Sequence, residues 1–340
     1  MQPHQSLSKL VPEAPDLFCS SLNSDPTFKE QAECYMLQLA NRKRRPVHAS
    51  TLVTWTSSLK CWLIPAIGHL HLSQITHATV KPLITAMADA GLKPASIDAH
   101  FRLLKRIVDS CLNEDGEPIF KRRWNYDFLD LPVVSLRTMN RPCFSAETVS
   151  ELARWRFPRE RMIFILAGAS GARIGELLGL DINEHISSDC STLRIQRQVA
   201  RGPIVDYLKT NASYREIDLD LSVAKTLLEF IGTRTSGLLF CSATGSPLAL
   251  NNILVHHLHP ALRELGFTNS ITNSHKAGMH ALRRFRNTHL GKFPGLPARL
   301  HKFWMGHSAD STTDLYDRSI EDREFRKSWA QRCGIGFELL

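Results

Sequence analysis

Apolar residues recur at three- and four-residue intervals along most of the chain, which predicts helices. One stretch, from Cys190 to Leu221, alternates instead. The first helix begins near Phe28, with Ala32, Tyr35, Met36 and Leu39 on one face. Ser50 is placed to cap a second, which carries Leu52, Trp55, Leu59 and Trp62 until Pro65 and Gly68 interrupt it. Residues 76–91 predict a third, closed by Gly91. A fourth puts Ile97, Phe101, Leu104 and Val108 on one stripe, leaving Arg102, Lys105 and Arg106 off it, and ends at the turn Asn113-Glu114-Asp115-Gly116.

After a proline-bearing stretch the helical period resumes at Ser145. Residues 159–170, RERMIFILAGAS, predict a strongly apolar helix broken at Gly168 and Ser170-Gly171. In the helix that follows, GARIGELLGLD, Ile174, Leu177 and Leu178 face inward, with Arg173 in its first turn and Glu176 one turn on. Residues 191–200, 204–210 and 215–221 alternate and are rich in β-branched side chains. Gly202-Pro203 and Asn211-Ala212-Ser213 separate them, so the expectation is a three-stranded antiparallel meander. Helical spacing returns from Ser222. The fold class is therefore mainly α with a small antiparallel β-sheet, an α+β protein.

At 340 residues, two domains are the natural division. The boundaries expected are a flexible arm over 1–26, containing Pro3, Pro12 and Pro15; a helical domain over 27–130; a linker over 131–141; and a second domain over 142–340. A net charge of +9 favours a polyanionic partner, nucleic acid first, because lysine and arginine neutralise phosphates. Basic clusters at Arg42-Lys43-Arg44-Arg45, at Lys105 and Arg106, and at Lys121-Arg122-Arg123 read either as solvated surface or as backbone-phosphate contacts. The eight cysteines are scattered without a CxxC pair, which argues against a zinc site and against a secreted disulfide framework and suits a reduced cytosolic protein. No apolar run is long enough to span a bilayer, and the N-terminus has no apolar signal core. His256, His257 and His259 stand in a helical run without the carboxylate or cysteine pattern of a metal centre, so no metal is expected.

Candidate chemistry lies in the second region. His280 and Arg283, three apart in HALRRF, share a helix face. Arg173 follows a glycine-rich turn at a helix start; its partner is either Glu176 or another carboxylate, or a bound phosphate. His307 follows a glycine in WMGHS, with Trp304 and Met305 before it as core packing. Nine residues beyond His307 comes Tyr316, after a polar run, Asp310 to Thr313, of the kind that starts a helix.

In chain order, Arg173 in GARIGELLGL, Lys209 in LKTNASYREIDL, His280 and Arg283 in HALRRF, His307 in MGHS and Tyr316 in TTDLY closely resemble the tyrosine recombinase, or phage integrase, family over roughly 142–330. The GHS…TT…Y spacing is the most diagnostic part. The resemblance implies a two-domain DNA clamp, in which the first region is the core-binding helical bundle and the second the catalytic domain. It implies double-stranded DNA as substrate and a homotetramer on DNA, leaves room for accessory DNA-bending or directionality factors that the sequence does not show, and suits a bacterial or phage-encoded protein working on DNA in the cytoplasm, the alternative compartment being a nucleus. It also implies site-specific cutting and rejoining through a 3′-phosphotyrosyl intermediate on Tyr316 and a four-way junction, with no ATP, metal or other cofactor. Arg173 and Arg283 would hold the non-bridging phosphate oxygens, and His307 would donate a further hydrogen bond. His280 would accept the tyrosine proton, Lys209 would protonate the leaving 5′-oxygen, and Glu176 would orient Arg173 or a backbone group. Type IB topoisomerases and telomere resolvases share such residues, and a DNA-binding relic without catalysis is the alternative of another class. Phe325, Trp329 and Cys333 give the tail, 320–340, one apolar helical face, which docks either on a neighbouring protomer or on its own core.

Overall fold

The computed structural model describes residues 25–44, 46–135, 141–208, 210–269, 274–308 and 318–339. The chain forms two compact units, Met1–Arg137 and Thr138–Leu340. Among the described residues no helix is long and apolar enough to cross a membrane.

The first unit is a helical bundle. Helix α1 (Phe28–Ala40) starts at a capping box: Thr27 Oγ1 accepts from the Glu30 N–H, and Glu30 accepts in return from the Thr27 N–H at 2.9 Å. Helix α2 (Ala49–Ser58) is entered from His48, two residues before the expected cap Ser50, and His48 makes no side-chain cap. Pro65 does not interrupt the helix. One π-turn (Leu59–Leu63) carries the chain straight into α3 (Ile64–Ile67), where Pro65 stands near the start. The wider turn frees the proline ring from the carbonyl one turn back, and Pro65 has no N–H to lose there. The same device recurs in the second unit, where a π-turn over Leu254–Leu258 precedes Pro260. Helices α4 (His77–Asp89) and α5 (Pro94–Val108) complete the bundle. Its core holds Phe28, Leu63, Ile67, Met87, Ile97, Phe101 and Leu104, closed by Trp124 set edge-on to Phe101 at 5.4 Å between ring centroids.

The second unit is built round α7 (Pro158–Ser170), buried from Met162 to Ser170, against which α6 (Ala146–Leu152), α10 (Leu221–Ile231) and α13 (His280–Lys292) pack. Gly168 does not break α7. A Cβ there would lie 3.0 Å from the Val149 side chain and 3.3 Å from Phe337, so the glycine is a close-packing position. The helix ends at Gly171, in the left-handed conformation. Helices α8 (Ile174–Leu178) and α9 (Ile182–His185) lead to the sheet.

The expected meander is corrected to two antiparallel pairs: β1 (Thr192–Ile195) with β4 (Arg215–Asp218), and β2 (Gln198–Val199) with β3 (Ile204–Val205). The strand that ends the region thus pairs with the one that begins it, in the register Thr192 to Asp218 and Ile195 to Arg215. The intervening hairpin is an excursion. Helices α11 (Leu250–Ile253) and α12 (His259–Glu264) flank the second π-turn, and α14 (Ala298–Met305) ends at Gly306.

The C-terminal helix (Arg323–Cys333) and the residues after it pack on their own unit. Trp329, Ala330, Cys333, Ile335 and Phe337 are buried in its core. Arg286 donates to the Gly334 carbonyl at 2.6 Å, and a ring nitrogen of His289 lies 2.8 Å from the Cys333 carbonyl. Of the two dockings open to the tail, the one on its own core is observed.

Candidate active site

Four of the residues singled out by motif converge in the second unit. Arg173 sits at the mouth of α8, just beyond the turn at Gly171. Its backbone N–H donates to one oxygen of Glu176 at 2.9 Å and its guanidinium to the other at 2.7 Å. A longer contact, 3.4 Å, reaches the Ser213 hydroxyl. Arg283 projects from α13, buried, and donates to the carbonyls of Gly171 and Met305, so it ties the end of α7 to the end of α14. Its Nη2 also lies 3.4 Å from His307 Nε2. Gly306, at φ +62°, closes α14 and puts His307 on the exposed residue that follows, its N–H held by the Lys302 carbonyl at 3.0 Å. His280 is the first residue of α13, one turn before Arg283 and more exposed than it.

Positive charge is gathered here beyond what the local carboxylate balances. Burial and the neighbouring Arg173 push the Arg283 guanidinium down to about 10, offset only in part by Glu176. Burial alone would raise the Glu176 carboxyl, but Arg215 and Arg173 hold it below the usual range, so it is ionised. Partial burial, then Arg283, Arg284 and Arg173, push the His280 imidazole below its ordinary value, and the α13 N-terminus acts in the same direction. His280 is therefore neutral at physiological pH and able to take up a proton. A cluster of guanidiniums with one shared carboxylate, edged by two imidazoles, suits a tetrahedral oxyanion such as a phosphodiester.

Lys209, Tyr316 and Arg45 lie outside the described residues. The other basic candidates divide by partner. Lys105 Nζ lies 3.1 Å from the Tyr126 hydroxyl, over the rings of Phe101 and Tyr126. Arg106 stacks on Trp55, and Arg122 donates to the carbonyls of Ser73 at 2.7 Å and Leu72 at 3.3 Å. Arg42, Lys43 and Arg44, just past α1, are exposed, as are Lys121 and Arg123. The histidines in and just after the second π-turn do not converge: His257 faces Glu160 at 3.5 Å, whereas His259, the first residue of α12, faces the Ala277 carbonyl. Trp304 and Met305 are buried, as expected.

Sequence reasoning missed Arg215. Its side chain is fully buried beneath the site and donates to Glu176 at 2.9 Å. The signal was present in the alternation of β4: Ile217 and Leu219 point inward, so Arg215 shares their face.

The arrangement is a mainly helical fold with a small antiparallel sheet and one cluster of guanidinium and imidazole groups. The described chain is similar to the Tn1549 transposon integrase in complex with transposon right end DNA: 18% identity, TM-score 0.65, covering 90% of this chain and 98% of that one. It is also similar to a lambda integrase dimer bound to a COC′ core site (17%, TM-score 0.59, 88% and 79% covered). A lambda integrase tetramer bound to a Holliday junction is a further match (16%, TM-score 0.60, 84% and 79% covered). At such identities the likeness is one of fold. No curated protein matches the chain. The model of the phage integrase family matches residues 154–323, half of the chain, and the chain belongs to that family. It is a site-specific tyrosine recombinase.

Proposed function

We propose that this recombinase cuts and rejoins DNA with Tyr316 as nucleophile and with Arg173, Arg283, His280, His307 and Lys209 as the residues that act on the scissile phosphate. The observation that carries the reading is the convergence of Arg173, Arg283 and His307 from three separate segments, with Arg283 bonded to the ends of both neighbouring helices. Tyr316 Oη attacks phosphorus while the bond to the 5′-oxygen breaks. The phenol, with a free pKa of about 10, needs a base, and neutral His280 takes its proton. Arg173 and Arg283 stabilise the charge that builds on the non-bridging oxygens, and His307 donates a hydrogen bond to one of them. Lys209 protonates the departing 5′-oxygen. A phosphodiester is exchanged for a phosphotyrosyl ester, so the bond energy is kept for rejoining and neither ATP nor a metal ion is needed.

In the first unit, the exposed Arg42, Lys43, Arg44, Lys121 and Arg123 are the side chains proposed to reach DNA phosphates. Lys105, Arg106 and Arg122 spend at least part of their capacity on their own unit. The lambda integrase dimer and tetramer on DNA support assembly of this chain into a tetramer on a four-way junction.

A nicked substrate made from the DNA flanking the gene, which loses its 5′-hydroxyl fragment on cleavage, tests the proposal. The wild-type protein is expected to give a covalent protein–DNA band on a denaturing gel, and Tyr316→Phe none. An equal band from Tyr316→Phe overturns it, and binding without any band from either protein on a library of sites supports a DNA-binding relic.

A further inference from the structure

Arg215 is a fully buried charge of the second unit. Its guanidinium spends every nitrogen inside the protein: Nε donates to the Trp304 carbonyl at 2.8 Å, Nη1 to the Ser213 carbonyl at 2.8 Å and Nη2 to Glu176 at 2.9 Å. None of its exposed surface remains, so it cannot touch DNA. Two of those contacts lead to the site from opposite sides. Through Glu176 it reaches Arg173, whose guanidinium and backbone N–H occupy that carboxylate. Through the Trp304 carbonyl it holds the last turn of α14. Gly306 lies flat against it, where a Cβ would come within 3.0 Å of Cζ and Nη1. His307 is the next residue.

A buried ion pair is weak evidence for stability, since apolar side chains of similar size often serve as well. What an apolar side chain cannot do is fix two donors at set positions. We infer that Arg215 is a positioning residue, the buried strut that sets Arg173 and His307 at the spacing a single phosphate requires. This rests on the proposed roles of those two residues. One strand supplies the strut and its neighbours: Asp218, three residues along β4, accepts from Trp304 Nε1 at 2.9 Å and from Arg326 at 2.8 Å. The end of α14 is thus gripped from the same strand at two points.

Single-turnover cleavage of the nicked substrate by Arg215→Met and Arg215→Lys tests the inference, together with the cycle formed with Arg173→Ala. DNA affinity is expected within threefold of wild type, with the cleavage rate of Arg215→Met about 100-fold lower and that of Arg215→Lys partly restored. In the Arg173→Ala background, Arg215→Met is expected to cost less than about tenfold, because much of its effect passes through Arg173. Fully multiplicative losses, or an unchanged rate, overturn it. Where Arg215→Met fails to fold, Arg215→Lys replaces it in the same cycle, and the same outcomes decide. Should the wild-type protein cleave nothing, the function reading fails by itself, and the strut is read from the histidine ring NMR signals. The signals of His307 are expected to shift in Arg215→Lys while those of His71, in the first unit, stay; unmoved His307 signals overturn the inference.

Discussion

At the scale of single residues, the site depends on arginines with fixed partners. Arg283 bonds the carbonyls that end two helices, a task for a planar fork. Arg283→Lys keeps the charge and loses the fork, and is expected to lower the cleavage rate by about 10²–10³ with binding within a few fold; single-turnover assays beside a filter-binding titration check this. Gly306→Ala forces a side chain into a left-handed backbone and against the Arg215 guanidinium. A loss of about 1–3 kcal/mol in chemical denaturation is expected, with an unchanged midpoint the contrary result. That Arg173, His280, Arg283 and His307 belong together was legible because each sits in a motif with its own spacing, and the structure places them near one another. Arg215 was not, because an arginine in an alternating strand reads as solvent-facing by type. Only the phase set by Ile217 and Leu219 reveals that it points inward. Glu176 was legible as a partner of Arg173, whereas its second arginine, 39 residues on in sequence, was not.

At the scale of elements, the sequence period located most helices and misjudged what stops them. Proline and glycine are breakers by propensity, but tertiary packing overrides propensity. Pro65 and Pro260 are each admitted by a π-turn two residues earlier, a backbone adjustment with no side-chain signature. Gly168 is kept helical by its contacts with Val149 and Phe337. The sheet was found by its alternation, but pairing is a long-range choice, and the short β2–β3 hairpin hid the union of β1 with β4. The tail shows the same limit: its apolar face was visible, its partner was not. Phe337 packs against Phe285 at 6.0 Å between ring centroids and against Gly168. Phe337→Ala is therefore expected to destabilise the isolated, DNA-free protein by about 3 kcal/mol. A midpoint unchanged in the monomer would place this residue outside its own core.

At the scale of the whole molecule, burial acts in one direction on many imidazoles. His100, His185, His257, His280, His289 and His301 are all held below the ordinary value, burial being the largest cause in each. The unfolded chain, with histidines near about 6.5, then binds more protons than the folded one in the interval below that value. Stability rises with pH through this interval and is lost as pH falls through it. The melting temperature is expected to drop by several degrees between pH 7.5 and pH 5.5, and a flat profile would contradict the assignment. For His280 as the proposed base, activity is expected to follow the same sign, with cleavage held near its plateau down to pH values at which an ordinary imidazole is already half protonated. The net charge of +9 adds a salt dependence, with DNA affinity falling steeply as ionic strength rises.

The central claim, that the guanidinium cluster serves a tyrosine nucleophile, is tested most directly by locating the covalent bond. The trapped adduct from the nicked substrate is digested with trypsin and nuclease, and the modified peptide sequenced by mass spectrometry. A phosphate on Tyr316, joined to the 3′ end of the DNA with a free 5′-hydroxyl on the released strand, is the result predicted. A link through another residue, or to a 5′ end, would contradict the account.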